Sequence, residues 1–365
     1  MILAIVLFVA ALAILILVHE AGHFFVAKLF GIRVDEFAIG FPPRLAAVRK
    51  GETEYSINLI LFGGFVRIFG EQAGEGERDP RSFSAQSRWV QAAVAVAGIL
   101  MNFILAWLLI CIVYLVGVPT AVDAQNAGQV QNPKVTIIDT IPGSPAANVG
   151  LQPGDVLLAL GTGTNAFASS TSSQEATAFI EAHASQSILL EISRNGTDKV
   201  FLAMPQAGFL QGDPARKILG VELADVGIMH YSLAGGAVAG SELMWQETLG
   251  TAIGLVTFFK DIFIGQANFS DVAGPVGIAQ AGTQAAAMGI ADLLLFAAFI
   301  SINLAFINVL PIPGLDGGRL LFIAIEGIGR REISARIAAR ATVFGFALII
   351  LLMIVVTYHD VVRLL

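Results

Sequence analysis

The chain has 365 residues, 56 % of them hydrophobic and only 13 % charged, with a mean hydropathy of +0.76. That composition excludes an ordinary soluble enzyme and describes a polytopic membrane protein with polar insertions. A net charge of −7 without a basic patch gives no footing for nucleic acid, and the single cysteine, Cys111 in an apolar run, excludes a disulfide framework or a Cys-rich metal site.

Met1 to Val18 is apolar throughout, close to the roughly 20 residues that a helix needs to cross a hydrocarbon core. No Lys or Arg precedes it, as a secretory signal peptide would require, so a retained first span is expected. His19, Glu20 and His23 follow at once in the spacing His-Glu-x-x-His. On a helix, residues four apart share a face, so the two imidazoles can meet on one zinc ion with the glutamate between them in reach of a reacting water. In a soluble helix the same short pattern is often only a solvated face. At membrane depth ionisable groups are costly unless paired, hydrated or bound to metal, so three together in an apolar span read as a site.

From about Gly31 to Arg88 the chain is polar and rich in arginine. It holds Gly40-Phe41-Pro42-Pro43 and then Tyr55 to Ile68, two β-rich runs separated by Gly63-Gly64, which read as a hairpin. Two roles are open: a connector between spans, or a hairpin dipping toward the active centre, its free edge pairing with an extended substrate along the apolar Leu59 to Phe65. Glu71 to Ser87, rich in Gly, Glu and Arg, is expected as a mobile loop without chemistry. Trp89 to Val118, interrupted only by Gln91 and Asn102, is the second span.

Between Val130 and Pro205 the composition becomes that of a soluble domain. Strands are expected at Val135 to Ile138, Val156 to Leu160, Ser187 to Ser193 and Lys199 to Met204, with helices opening near Pro145 and over Ser172 to Ala184. Leu249 to Ile264 is short for a span and is expected as an amphipathic helix on the outer face. Ala273 to Gly277 reads as a turn into the third span, Leu293 to Leu310, which carries Asn303 and Asn308. The following Pro311-Ile312-Pro313-Gly314-Leu315-Asp316-Gly317-Gly318 must break the helix, and broken backbone at that depth survives only against protein or a water-filled cavity. Asp316 falls in the break. It could simply cap the next helix, but zinc held by His19 and His23 lacks a third protein ligand, which a carboxylate there can supply. Asn303 and Asn308 need partners, and supporting bonds or contacts to substrate backbone are open to them. Ala341 to Thr357 is the fourth span. The positive-inside rule puts the two arginine-rich connections, Gly31 to Arg88 and Gly314 to Arg340, in the cytoplasm, and the long connection and both chain ends outside.

His-Glu-Ala-Gly-His in the first span, the Gly-Phe-Pro segment, the Gly-Gly-Phe hairpin and the stretch Asn308-Val-Leu-Pro-Ile-Pro-Gly-Leu-Asp-Gly-Gly318 together resemble the site-2 protease family of intramembrane zinc metalloproteases. The likeness covers nearly the whole chain and is strongest to the regulator-of-sigma-E type. Pro142-Gly-Ser-Pro-Ala146 with Gly150-Leu-Gln-Pro-Gly-Asp155 resembles the PDZ domains of bacterial membrane proteases. The implied fold is a polytopic α-helical membrane protein with four transmembrane helices, a membrane-associated β-hairpin and an inserted α+β PDZ domain. Its parts would be a first membrane half (1–118), the PDZ domain (119–210), a linker with an amphipathic surface helix (211–289) and a second membrane half (290–365). The resemblance implies Zn2+ held by His19, His23 and Asp316, Glu20 as catalytic base, and Asn303, Asn308, Gly63 and Gly64 as substrate-positioning residues. It implies single-pass transmembrane substrates, such as anti-sigma factors or remnant signal peptides, cut toward the cytoplasmic side of a bacterial inner membrane. The PDZ domain would capture a peptide or C-terminus, or filter substrates by size. Only one such domain fits here, where the sigma-E type carries two. The rival classes are a catalytically inactive PDZ adaptor, which has no use for a base at that depth, and a metal transporter, which needs polar residues that the second and fourth spans almost lack.

Overall fold

The computed structural model describes residues 2–71, 79–124, 126–163, 165–169, 172–194, 196–209, 213, 215–266, 273–331 and 333–364. In chain order the elements are α1 (Ile2–Leu29), β1 (Val34–Lys50), β2 (Thr53–Ile68), α2 (Arg88–Val116), β3 (Val118–Ala121), β4 (Val130–Thr140), α3 (Pro145–Asn148), β5 (Val156–Thr162), β6 (Asn165–Ser169), α4 (Ser173–Ala182), β7 (Ile188–Arg194), β8 (Thr197–Ala203), β9 (Val221–Met229), α5 (Leu233–Phe263), α6 (Pro275–Met288), α7 (Ile290–Val309), α8 (Asp316–Gly329) and α9 (Ala335–Leu364). They form two compact units, one of Met1–Val113 with Ala234–Leu365 and one of Tyr114–Leu233.

In the first unit, four helices are long and apolar enough to cross a membrane: α1, α2, α7 and, within α9, Arg336–Val362. The protein is therefore a multi-pass membrane protein. Their apolar side chains are largely exposed, as lipid-facing surfaces are, while small residues line the helix contacts. A Cβ added to Gly22 of α1 would stand 2.8 Å from Met101 Cγ and against the Ala97 carbonyl of α2. α5 starts well before the apolar run at Leu249 and extends to 31 residues. Where a turn was expected after Ala273 there is a helix, α6, separated from α7 by Gly289 at φ 154°, a conformation that favours glycine. Its first turn is satisfied from far along the chain: the Asp360 carboxylate of α9 accepts from Gly274 N at 3.1 Å and Gly277 N at 2.8 Å.

The turn expected at Gly63-Gly64 is not there: β2 runs through the glycine pair as one strand, and its partner is the preceding β1, joined to it at Gly51-Glu52, both strands being long and bent. Residues 36–39 of β1 pair with residues 64–67 of β2 and again with residues 54–57, so the two strands fold into a sheet of four segments. A buried carboxylate holds the bend: Glu36 accepts from Ser56 Oγ at 2.7 Å and from Arg44 at 2.8 Å, and pairs with Arg67 at 3.3 Å. The connection onward to α2 is better ordered than its composition promised, at least over residues 79–87. Phe83 is buried and donates its N–H to Phe69 O at 2.8 Å, and the buried Gln91 amide of α2 donates to Phe83 O and Gln86 O. Below it, hydrogen bonds from Lys28 and Arg81 hold the Glu52 carboxyl under its ordinary range. Residues 72–78 of the expected mobile loop lie outside the described residues.

The second unit is a seven-stranded sheet in the order β3-β9-β4-β5-β7-β8, with β6 paired to β5. Ile137, Leu157, Leu160, Ile188, Leu190 and Ile192 form its core. The Gly-Leu-Gln-Pro-Gly-Asp turn is locked by Asp155, 1 % exposed, which accepts from Arg194 Nε and Nη2 at 2.6 Å each and from Gln152 N at 2.9 Å. β9 has no counterpart among the strands expected from sequence, and it pairs with both β3 and β4.

Candidate metal centre

Three side chains from two distant stretches converge. His19 and His23 project from one face of α1, and their Nε2 atoms are 3.2 Å apart. Asp316, the first residue of α8, brings Oδ2 to 3.2 Å from His19 Nε2 and 3.3 Å from His23 Nε2. The helix break delivers it. Gly317 and Gly318 lie so close to the carbonyls of Val309, Leu310 and Ile312 that no Cβ would fit at either, which folds the first turn of α8 back under the end of α7. Among the described residues these three form the group able to hold a metal ion, with their ligand atoms all within 4.8 Å of one another.

The hydrogen bonding favours a cation between them. His23 Nδ1 lies 2.8 Å from Val94 O, and a carbonyl can only accept, so Nδ1 carries a proton and in the neutral ring Nε2 presents a lone pair. That lone pair faces the Asp316 carboxylate. Asp316 Oδ2 is itself buried without a hydrogen-bond partner. Buried acceptors facing one another are unfavourable unless a cation sits among them. Zinc fits: two imidazole nitrogens and a carboxylate oxygen are its usual donors, and a tetrahedral ion with bonds of about 2.0 Å has ligand separations of about 3.3 Å. Three protein ligands leave the fourth position for water or substrate.

Two residues that sequence reasoning passed over support the imidazoles. Asn102 of α2 is fully buried with its amide 3.1 Å from His19 Nδ1, and its Oδ1 is unpartnered with the amide placed Nδ2 toward the ring. The reverse orientation lets Oδ1 accept from His19 Nδ1–H and frees Nε2 for the metal. Ser301 Oγ of α7 then ties to Asn102 O at 2.8 Å, joining three helices at this level. Gly98, one turn before Asn102, lies beneath both rings: a Cβ there would be 2.8 Å from His19 Cε1 and would collide with His23.

The remaining expected residues divide. Gly64 of β2 is brought to the centre, since a Cβ on it would stand 3.6 Å from Glu20 Cγ and 3.7 Å from Ile16 Cγ2 of α1. Gly63 instead packs against the Phe41 ring. Asn303 is half-buried and its amide folds back onto its own helix, donating to Phe299 O at 2.9 Å, and Asn308 is also half-buried.

Comparison with known proteins gives the same chemistry. Residues 7–352 match Peptidase family M50. The chain is 35 % identical to a protein of Clostridium perfringens whose name assigns it provisionally to the zinc metalloproteases, over 96 % of each chain. It is 30 % identical to zinc metalloprotease RasP of Shouchella clausii over 98 % of each chain, and 29 % identical to that of Oceanobacillus iheyensis over 99 % of each. A His-His-Asp group buried among apolar helices, in a chain matched along nearly its whole length, belongs to peptidase family M50, the site-2 protease family, and the protein is a zinc metalloprotease.

Proposed function

We propose that the protein hydrolyses peptide bonds inside the transmembrane segments of single-spanning substrates, such as anti-sigma factors or remnant signal peptides, in a bacterial inner membrane. The observation that carries this reading is the position of the ligand triangle: His19, His23 and an unpartnered Asp316 oxygen meet within helices of membrane-spanning length. His19, His23 and Asp316 would hold the ion, which when bound would supply Lewis-acid polarisation of the scissile carbonyl. Glu20 takes a proton from the attacking water as its oxygen adds to the carbonyl carbon and passes it to the leaving amine as the C–N bond breaks. Asn102 and Val94 fix the imidazoles by accepting from their Nδ1 hydrogens.

A helical substrate hides its carbonyls in i to i−4 bonds and must be unwound first. The β2 segment around Gly63 and Gly64 supports a role for the bent sheet here: it offers backbone partners beside Glu20, where a side chain on Gly64 would fill the approach. Asn303 and Asn308 serve the substrate backbone in this reading. The β-rich unit acts as a PDZ domain that captures a peptide end or filters by size, and it lies outside, with the metal centre toward the cytoplasmic side and both chain ends outside.

The test is zinc content and cleavage of a model single-span substrate by the purified protein in detergent, with and without Glu20→Gln. The variant keeps its zinc and loses cleavage. Undiminished cleavage by Glu20→Gln would overturn the mechanism, and a wild-type protein that binds zinc without cleaving would favour the inactive adaptor.

A further inference from the structure

Asp316 stands at the head of α8, and beyond its first turn two charged side chains tie that helix to the rest of the membrane unit. At about 100° per residue, Arg319, Ile323 and Glu326 share a face of α8 with Asp316, while Leu321, Ile325 and Ile328 form the opposite face and are exposed. The inner face meets the stretch that leaves β2 and opens α2. Arg319 stacks over the Phe83 ring, 4.0 Å from its centroid, and pairs with Glu71. Two turns further on, Glu326 pairs with Arg88 at 2.7 Å and accepts from Ile333 N at 2.9 Å.

The partners are firm. Phe83 is buried and bonded to Phe69, and Arg88 donates to Gln91 Oε1 at 3.0 Å. Arg88 is also the first residue of α2, the helix whose Gly98 and Asn102 support the imidazoles. We infer that the contacts of Arg319 with Glu71 and Phe83, and of Glu326 with Arg88, form a two-point clamp that sets where the Asp316 carboxylate stands relative to His19 and His23. Arg319 and Glu326 are thus positioning residues of the metal centre, an inference that rests on the zinc reading above. Single exposed ion pairs contribute little, but these act on a lever. The Arg88–Glu326 contact lies about 15 Å along the helix from Asp316, so releasing it swings the ligand.

The experiment uses the full chain in detergent as wild type, Arg319→Gln, Arg88→Glu, Glu326→Arg and the double reversal Arg88→Glu with Glu326→Arg. Zinc affinity is read by competition with a chelator, the ligand field by absorption of the cobalt-loaded protein, and folding by thermal unfolding of the metal-free form. Each single change weakens zinc binding about tenfold and lowers the cobalt bands with little effect on metal-free unfolding, and the double reversal restores both. Wild-type affinity in the single variants, or no recovery in the double, overturns the clamp. If a reversal does not fold, Arg319→Gln decides by the same measure. A wild-type chain that binds no zinc would sink the metal reading instead.

Discussion

A buried amide in the middle of an apolar helix costs free energy unless it is bonded, and the contact that Asn102 makes is with His19 Nδ1. Turned so that Oδ1 faces the ring, it accepts the Nδ1 hydrogen. In that orientation the amide sets the imidazole tautomer, as Val94 O does for His23. Asn102→Ala removes that partner while leaving the packing small, so zinc affinity measured by chelator competition should fall about 10- to 100-fold with helix content unchanged. Retention of wild-type affinity would mean that His19 is oriented by packing alone. The three residues that converge could be picked out in sequence, because His-Glu-x-x-His fixes its own geometry and the Pro/Gly break marks Asp316. Asn102 could not, because a lone polar residue in a span reveals depth but not azimuth. The readable sign was Gly98 four residues earlier: small and polar on one face mark where another helix comes close.

The spanning helices could be read from apolar length alone, since hydrocarbon thickness sets a minimum that few other structures meet. The elements that sequence missed are those whose partners lie far away. α6 is capped by Asp360 of α9, the 79–87 segment is held where Arg33 N donates to Arg81 O, and β9 lies between β3 and β4. A hairpin was expected, but its turn was misplaced at Gly63-Gly64: β2 runs through that pair and turns from β1 at Gly51-Glu52, and its bend, made by double pairing of residues 36–39, depends on the buried Glu36 network. That bend is what turns β2 toward α1. Gly64→Val puts a branched side chain where Glu20 Cγ, Ile16 and the Ala38 carbonyl already stand. Because none of the metal ligands is touched, zinc content should stay at the wild-type level while cleavage of a single-span substrate falls about a hundredfold, as misplacement by an ångström can cost. Loss of zinc along with activity would show that the strand supports the metal centre and not the substrate.

At the scale of the whole molecule, the metal triangle constrains the membrane topology independently of any charge count. His19 and His23 lie toward the C-terminal end of α1, and Asp316 follows the C-terminal end of α7, so both helices must deliver those ends to the same side. Both then run in the same sense, which requires an odd number of crossings between them. α2 supplies one. A crossing by α5 would make two and carry Asp316 to the far side. α5 is long enough to cross, with 31 residues at about 1.5 Å each, yet it carries Glu242, Glu247, Lys260 and Asp261, and a charge at a helix centre costs about 2.5–3.5 kcal/mol. Val238, Trp245, Leu249, Val256 and Phe263 instead form one exposed apolar stripe, suited to lying in the interface. The arginine count agrees, because a spanning α5 would put Arg330, Arg331, Arg336 and Arg340 outside. In a Cys111→Ala background, a membrane-impermeant maleimide should label Thr197→Cys in intact cells and Ser334→Cys only after permeabilisation. Labelling of Ser334→Cys in intact cells would mean that α5 crosses, and the ligand triangle could not then assemble.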